Sequence, residues 1–280
     1  MPRITALNIL LQDEGKDFLS ELYGKVIANV MKALVSAGMK NKDLSGDPTS
    51  GSVEAKRFAN AASQEYGTAR AAGKGNSVKA EPVVVQIDKD REIVEELEEK
   101  DTRLYGVDGL LERRSANHVV RMASELDKDF FKVAHENAVQ VEVEAGLAIE
   151  DELEKIIQEC ENTQNDYVDG VPRAMMRLTC STEYYGKIRN NLDKQSRSNV
   201  DTGAEEFYTW HGVETKPSVH LPAGCRYILM VEGAVAQPVM ANQYTAEKIP
   251  LSEAYGVSLF FHYGTKAVTP DLIFTNKATA

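Results

Sequence analysis

Residues 110 to 139, LLERRSANHVVRMASELDKDFFKVAHENAV, constrain this chain more than any other stretch. Val119, Met122, Ala123, Leu126, Phe130, Val133 and Ala134 recur at spacings of three and four. The segment is therefore a long amphipathic helix whose apolar face must lie against something along its length. A second helix follows in AIEDELEKIIQECENTQ. Its leading acids suit the positive end of a helix dipole, and Leu153, Ile156, Ile157 and Cys160 form its buried side.

Upstream, residues 15 to 37 carry Phe18, Leu22, Val26, Val30 and Leu34 four apart, with Leu19, Tyr23, Ile27 and Met31 widening the stripe. So broad a face fits either a helix packed on its own core or one docked on a neighbouring subunit. KNKDLSGDPTSGS then reads as a loop, and residues 53 to 71 are polar and Ala-rich with weak periodicity. AAGKGNS, residues 71 to 77, is a turn or loop tip whose glycines permit positive φ. It lacks the GxxxxGK[ST] spacing and a leading apolar strand, so it is not a nucleotide loop. Val83, Val85 and Ile87 alternate on one face of a strand. Between Asp88 and Asp101 stand eight carboxylates against three basic residues. No second signal of a catalytic carboxylate pair accompanies this run, which reads as a solvated face.

From Pro172 onward the texture is β-rich. Met175 to Leu178 begins a strand that turns at Cys180-Ser181-Thr182 into a short helix. AEEFYTWHGVETKPSV and RYILMVEGAVAQPVMA continue in short strands broken by Gly and Pro. The chain closes on Gly256 to Tyr263 and Leu272 to Phe274, two apolar strands that need cover. Short strands mixed with good helices indicate an α+β fold.

Composition narrows the function. At 280 residues the chain buries roughly three quarters of its unfolded surface in one or two domains. No apolar run approaches the roughly 20 residues of a membrane span, and MPRITALNILLQDEGKDF is not a convincing signal peptide. Three widely spaced cysteines suggest buried thiols in a reducing compartment. A net charge of -11 argues against a groove that grips nucleic acid through phosphates, and suits a container wall better than a reader. HExxH, GxSxG, GxGxxG and zinc patterns are absent, and the five histidines lie far apart.

The order of the pieces resembles the major capsid proteins of tailed bacteriophages, the Hong Kong 97 fold, over nearly the whole chain. VQIDKDREIVEELEEKD is similar to that family's second extended-loop strand and the acidic segment after it. SANHVVRMASELDKDFFKVAHENA resembles its spine helix, and RAMMRLTCSTEYYGKIRN the early strand and helix of its axial domain. GVETKPSVHLPAGCRYILMVEGAVAQPV resembles its hairpin pair with an LPAG turn, and GVSLFFHYGTKAVTPDLIFTNKA the return strands of its peripheral domain.

The resemblance implies five parts: an N-terminal arm (1–50), an extended β-hairpin loop (51–92), a peripheral domain with the spine helix (93–162), an axial domain (163–245) and C-terminal return strands of the peripheral domain (246–280). Both terminal strands would then join one small sheet beside the spine helix. The implied function is assembly of pentamers and hexamers into an icosahedral head around double-stranded DNA, without catalytic, metal or cofactor residues and without sequence-specific DNA contacts. Candidate intersubunit contacts are Phe18, Leu22 and Val26 on the arm helix, Ala72, Gly73, Lys74 and Gly75 at the loop tip, and Val83 and Val85 on its strand. Implied partners are other copies of the chain, with scaffolding, portal and decoration proteins, and no membrane. The implied location is the virion, after assembly in the host cytoplasm. Some relatives crosslink through a loop lysine; Lys74 and Lys79 lie in the loop here, but no acceptor pattern accompanies them, so no crosslink is expected. The rival readings are an encapsulin-like compartment shell, a cytosolic α+β enzyme whose site residues meet only in space, and a phage tail or adaptor protein.

Overall fold

The computed structural model describes residues 7–61, 63–75, 80–144, 146–194 and 209–276. A 3₁₀ turn, Leu7–Leu11, leads into α1 (Asp13–Ala33). Gly15 lies directly beneath that turn, where a side chain would overlap the Ile9 carbonyl. The predicted stripe is real, but α1 stops before residue 37. Leu34 turns extended, and the following 3₁₀ turn, Val35–Gly38, is held by Asp127. That carboxylate accepts from the Val35 and Ser36 amides (3.0 and 3.2 Å) and from Ser36 Oγ (2.6 Å).

The chain next forms β1 (Leu44–Ser45) and β2 (Ser52–Phe58), then a short helix α2 (Thr68–Ala72), then β3 (Ala80–Gln86). These strands make an antiparallel sheet in the order β1-β2-β3. The acidic run becomes β4 (Lys89–Leu97), with odd-numbered residues turned inward and even-numbered ones outward. The spine helix, α3 (Glu99–Glu136), starts earlier than residue 110 because Gly106 joins two helical pieces. Gly106 sits at φ 76° and ψ 173°, a region that glycine reaches far more cheaply than other residues.

After β5 (Val139–Val141), α4 (Ile149–Glu161) buries Leu153, Ile156, Ile157 and Cys160 as its spacing predicts. Then come β6 (Met176–Ser181), α5 (Thr182–Lys194), β7 (Thr209–Trp210), β8 (Val213–Ser218) and β9 (Tyr227–Val231). The remaining strands are β10 (Val235–Ala236), β11 (Val239–Ala241), β12 (Thr245–Lys248), β13 (Tyr255–Tyr263), β14 (Lys266–Ala267) and β15 (Ile273–Asn276).

Two larger sheets organise the rest. In the first, β13 is central, pairing with β4 on one edge and with β11 and β12 on the other. The second runs β5-β15-β9-β6-β8-β7. The spine helix serves both. Its residues Val107 to Leu126 pack with α1 and with Val257, Leu259, Phe261 and Tyr263 of β13. Its last turns, through Phe130, Phe131 and Ala134, pack on Ile228, Met230 and Ile273 of the six-stranded sheet. Helices α4 and α5 cover the opposite face of that sheet.

The two terminal strands therefore part company, contrary to the expectation of one shared sheet. All four residues of β15 are buried, so it needs neighbours on both edges and both faces. The site between β5 and β9 supplies them. The chain also returns to the four-stranded sheet at Val239, ahead of residue 246.

Candidate assembly surfaces

The hairpin of β2 and β3 has a root and a free end. At the root, alternation turns Val53, Ala55 and Val85 inward, where they pack with Ala236 and Val268. Val83 flanks this cluster, half-buried. Lys266 donates from Nζ to the Val84 carbonyl at 3.0 Å. The strand exit passes so close to Gly264 that any side chain there would overlap the Gln86 carbonyl oxygen.

Beyond the root, Arg57, Asn60 and Glu81 still meet the loop of Asp166 and Tyr167, and past them the hairpin stands out into solvent. Every described residue from Asn60 to Gly75 is exposed, and Tyr66 is 98% exposed. Left-handed Gly67 (φ 99°) and Gly73 (φ 65°) bracket α2 at the tip. Tyr66 to Ala80 contains Arg70, Lys74 and Lys79 and no acid, although the chain as a whole carries -11.

A second uncovered surface is the outer face of the four-stranded sheet. The inward residues of β4 face the spine helix: Lys89 Nζ meets Asp129 at 2.5 Å, and Arg91 Nε meets Glu125 at 2.9 Å. Arg114 Nε donates to Glu95 Oε1 at 2.8 Å, and this bond holds the Glu95 carboxyl below its ordinary range. The outward residues Asp90, Glu92, Val94 and Glu96 stand beside His262, Phe260, Ser258 and Gly256, with Glu247 across from Gly256. Val94 and Phe260 belong to none of the core clusters, and Val94 is 56% exposed. This face is a patch of acids around an apolar centre.

These facts sort the candidate contact residues. Ala72, Gly73, Lys74 and Gly75 lie on the exposed tip. Leu22 and Val26 are 2% and 1% exposed and lie in the chain's own core, with Phe18 half-buried beside them. Val85 is likewise enclosed at the root. An amphipathic stripe reports that a face is covered, not by which molecule, and here α3 and β13 take the place proposed for a neighbour. Lys79 lies outside the described residues. Sequence reading also passed over Arg57 and Asp271, which ion-pair at 2.5 Å across 214 positions with no local signal to join them.

Among the described residues no group of three His, Cys, Asp or Glu is placed to hold a metal. All three cysteines are free and buried, and burial pushes the Cys160 thiol up to about 12. His118, His211 and His262 are engaged by Tyr244, Glu154 and Asp90, each at 2.6 Å. No helix in the described residues is long and apolar enough to cross a membrane.

No family model matches this chain, and no curated protein sequence matches it. Solved structures do. The capsid of a native GTA particle aligns at a TM-score of 0.61 with 11% identity, covering 89% of this chain and 90% of that one. The capsid of cyanophage P-SCSP1u aligns at 0.60 with 12% identity, covering 86% and 85%. The holo-SrpI encapsulin complex of Synechococcus elongatus PCC 7942 aligns at 0.52 with 13% identity, covering 72% and 78%. The fold is that of the phage capsid proteins, the Hong Kong 97 fold.

Proposed function

We propose that this chain is the major capsid protein of a tailed bacteriophage, closing as pentamers and hexamers into the icosahedral head that encloses double-stranded DNA. The observation that carries this reading is the hairpin. Its root is built firmly into the subunit, yet every described residue of its distal half, Tyr66 included, is exposed to solvent. A hairpin edge of this kind offers unpaired backbone groups to another chain. Its basic tip and the acidic outer sheet face are complementary and lie on different parts of one polypeptide. Such a pair makes head-to-tail contacts, which close into rings when the rotation permits. A permanent contact of this class buries well over ~2,000 Å². The negative wall then contains DNA without gripping it.

Scaffolding, portal and decoration proteins are the further partners of such a head, which forms in the host cytoplasm before it becomes a virion. The likeness to the encapsulin complex supports a second reading, a bacterial compartment shell built on the same fold. Light scattering and negative-stain microscopy of the purified protein test the proposal. Megadalton shells or capsomer rings are expected; nuclease-protected DNA favours the phage head, and a co-purifying enzyme favours the compartment. A small species at every concentration and salt, turning over a metabolite, would overturn both. Tubes or a single ring would point to a tail or adaptor protein.

A further inference from the structure

Where the hairpin leaves the body, three remote segments converge on it. Arg57 on β2 pairs with Asp271, in the turn before β15, and its guanidinium lies 4.2 Å from the centre of the Tyr167 ring. The Tyr167 hydroxyl donates to Glu81 on β3 at 2.8 Å. One tyrosine thus touches both strands of the hairpin, one through its face and the other through its edge. The loop holding it is itself shaped by Asn165, whose Oδ1 accepts from the Tyr167 and Val168 amides at 2.9 and 3.0 Å. Asn165 Nδ2 in turn donates to Asp271 at 2.6 Å, and the Asn60 amide donates to the Asp166 carbonyl at 2.9 Å. These are the last ties before the fully exposed stretch begins.

We propose that the 165–168 loop is a latch that sets the direction in which the hairpin leaves the subunit, with Tyr167 as the gripping residue and Arg57 and Asp271 as its brace. The apolar root alone leaves the direction loose, because Val53, Ala55 and Val85 hold only one face of two strands. Gripping both strands from the side removes that freedom. An arm fixed before assembly loses less conformational freedom when it meets a neighbour, and so binds at lower protein concentration. The latch stands on its own geometry; its effect on shell formation rests on the capsid reading.

The test measures direction directly. Spin labels at Ala72→Cys and at Val219→Cys, both exposed, report the distance from tip to body by pulsed electron resonance in unassembled protein. The buried native thiols stay unlabelled. The latched chain gives one narrow distance, and Tyr167→Ala gives a broad distribution with unchanged circular dichroism. Arg57→Met, which removes the brace and leaves the tyrosine, broadens it as well. The same narrow distance in both variants overturns the proposal. Shell formation is scored in parallel and shifts to higher protein concentration in both variants. A broadened distance without any particles, in the parent protein too, sinks the capsid reading and leaves the latch standing.

Discussion

Lys40 offers the sharpest single test of the packing after α1. Its side chain is 9% exposed, beside Met39 and the strand residue Val235 to which its backbone is bridged. The nearby Asp127 carboxylate is already engaged by three donors. Burial therefore lowers the Lys40 pKa from 10.5 to about 8, with Asp127 only partly offsetting the loss of water. That gap corresponds to roughly 3 kcal/mol of destabilisation whenever the native lysine is charged. Lys40→Met keeps the apolar stem and removes the charge, so at pH 7 it stabilises the unassembled subunit by up to that amount. The sign follows from proton binding. Below about 8 both native and unfolded lysine are protonated, and the full penalty applies. Between about 8 and 10.5 only the unfolded chain holds the proton, so the parent gains stability as pH rises and the variant's advantage shrinks. Above 10.5 the advantage is gone. Urea unfolding, followed through the single buried Trp210 and by circular dichroism, reads the difference at pH 7 and pH 11. A variant less stable than the parent at pH 7, or equally stabilised at both pH values, refutes the reasoning.

Three further outcomes are expected. Deleting Arg70 to Val78 leaves folded, soluble subunits that do not close; closed shells seen by microscopy would remove the tip from assembly. Gly264→Ala drives a methyl group into the Gln86 carbonyl and costs about 1–3 kcal/mol in urea unfolding, and a neutral result would mean that the two segments do not approach as described. Glu154 is held at about 2 by its bonds to Arg173 and then His211, so it adds stability above its ordinary 4.5 that disappears as pH falls through about 2. Glu154→Gln should flatten that part of the acid unfolding curve, and superimposable slopes would show that the pairing contributes nothing.

Much of the architecture was legible because periodicity records burial. The stripes of the spine helix and of α4 were read residue by residue, and the turn from β6 into α5 fell where Cys180 to Thr182 suggested. The misreadings share a cause. Leu22 and Val26 declared a covered face without naming its partner. The acids of β4 masked a strand whose apolar inward positions, Ile93 and Leu97, stand four apart among the inward charges Lys89, Arg91 and Glu95. Gly106 hid the first helical piece of α3, since its backbone breaks the register of the stripe. Asn165, Tyr167 and Asp271 carry no local signal, because what joins them to the hairpin is tertiary contact.

The position of β13 and β15 has a consequence for how the subunit is made. β13 is the centre of one sheet and waits for β4, formed some 160 residues earlier; β15 must slip between β5 and β9. The four-stranded sheet is complete only when Tyr263 has been made and the six-stranded sheet only when Asn276 has, and pairings so distant in sequence form slowly. A half-synthesised chain therefore carries its hairpin on an unfinished platform, because β9, β13 and β15 are all still to come.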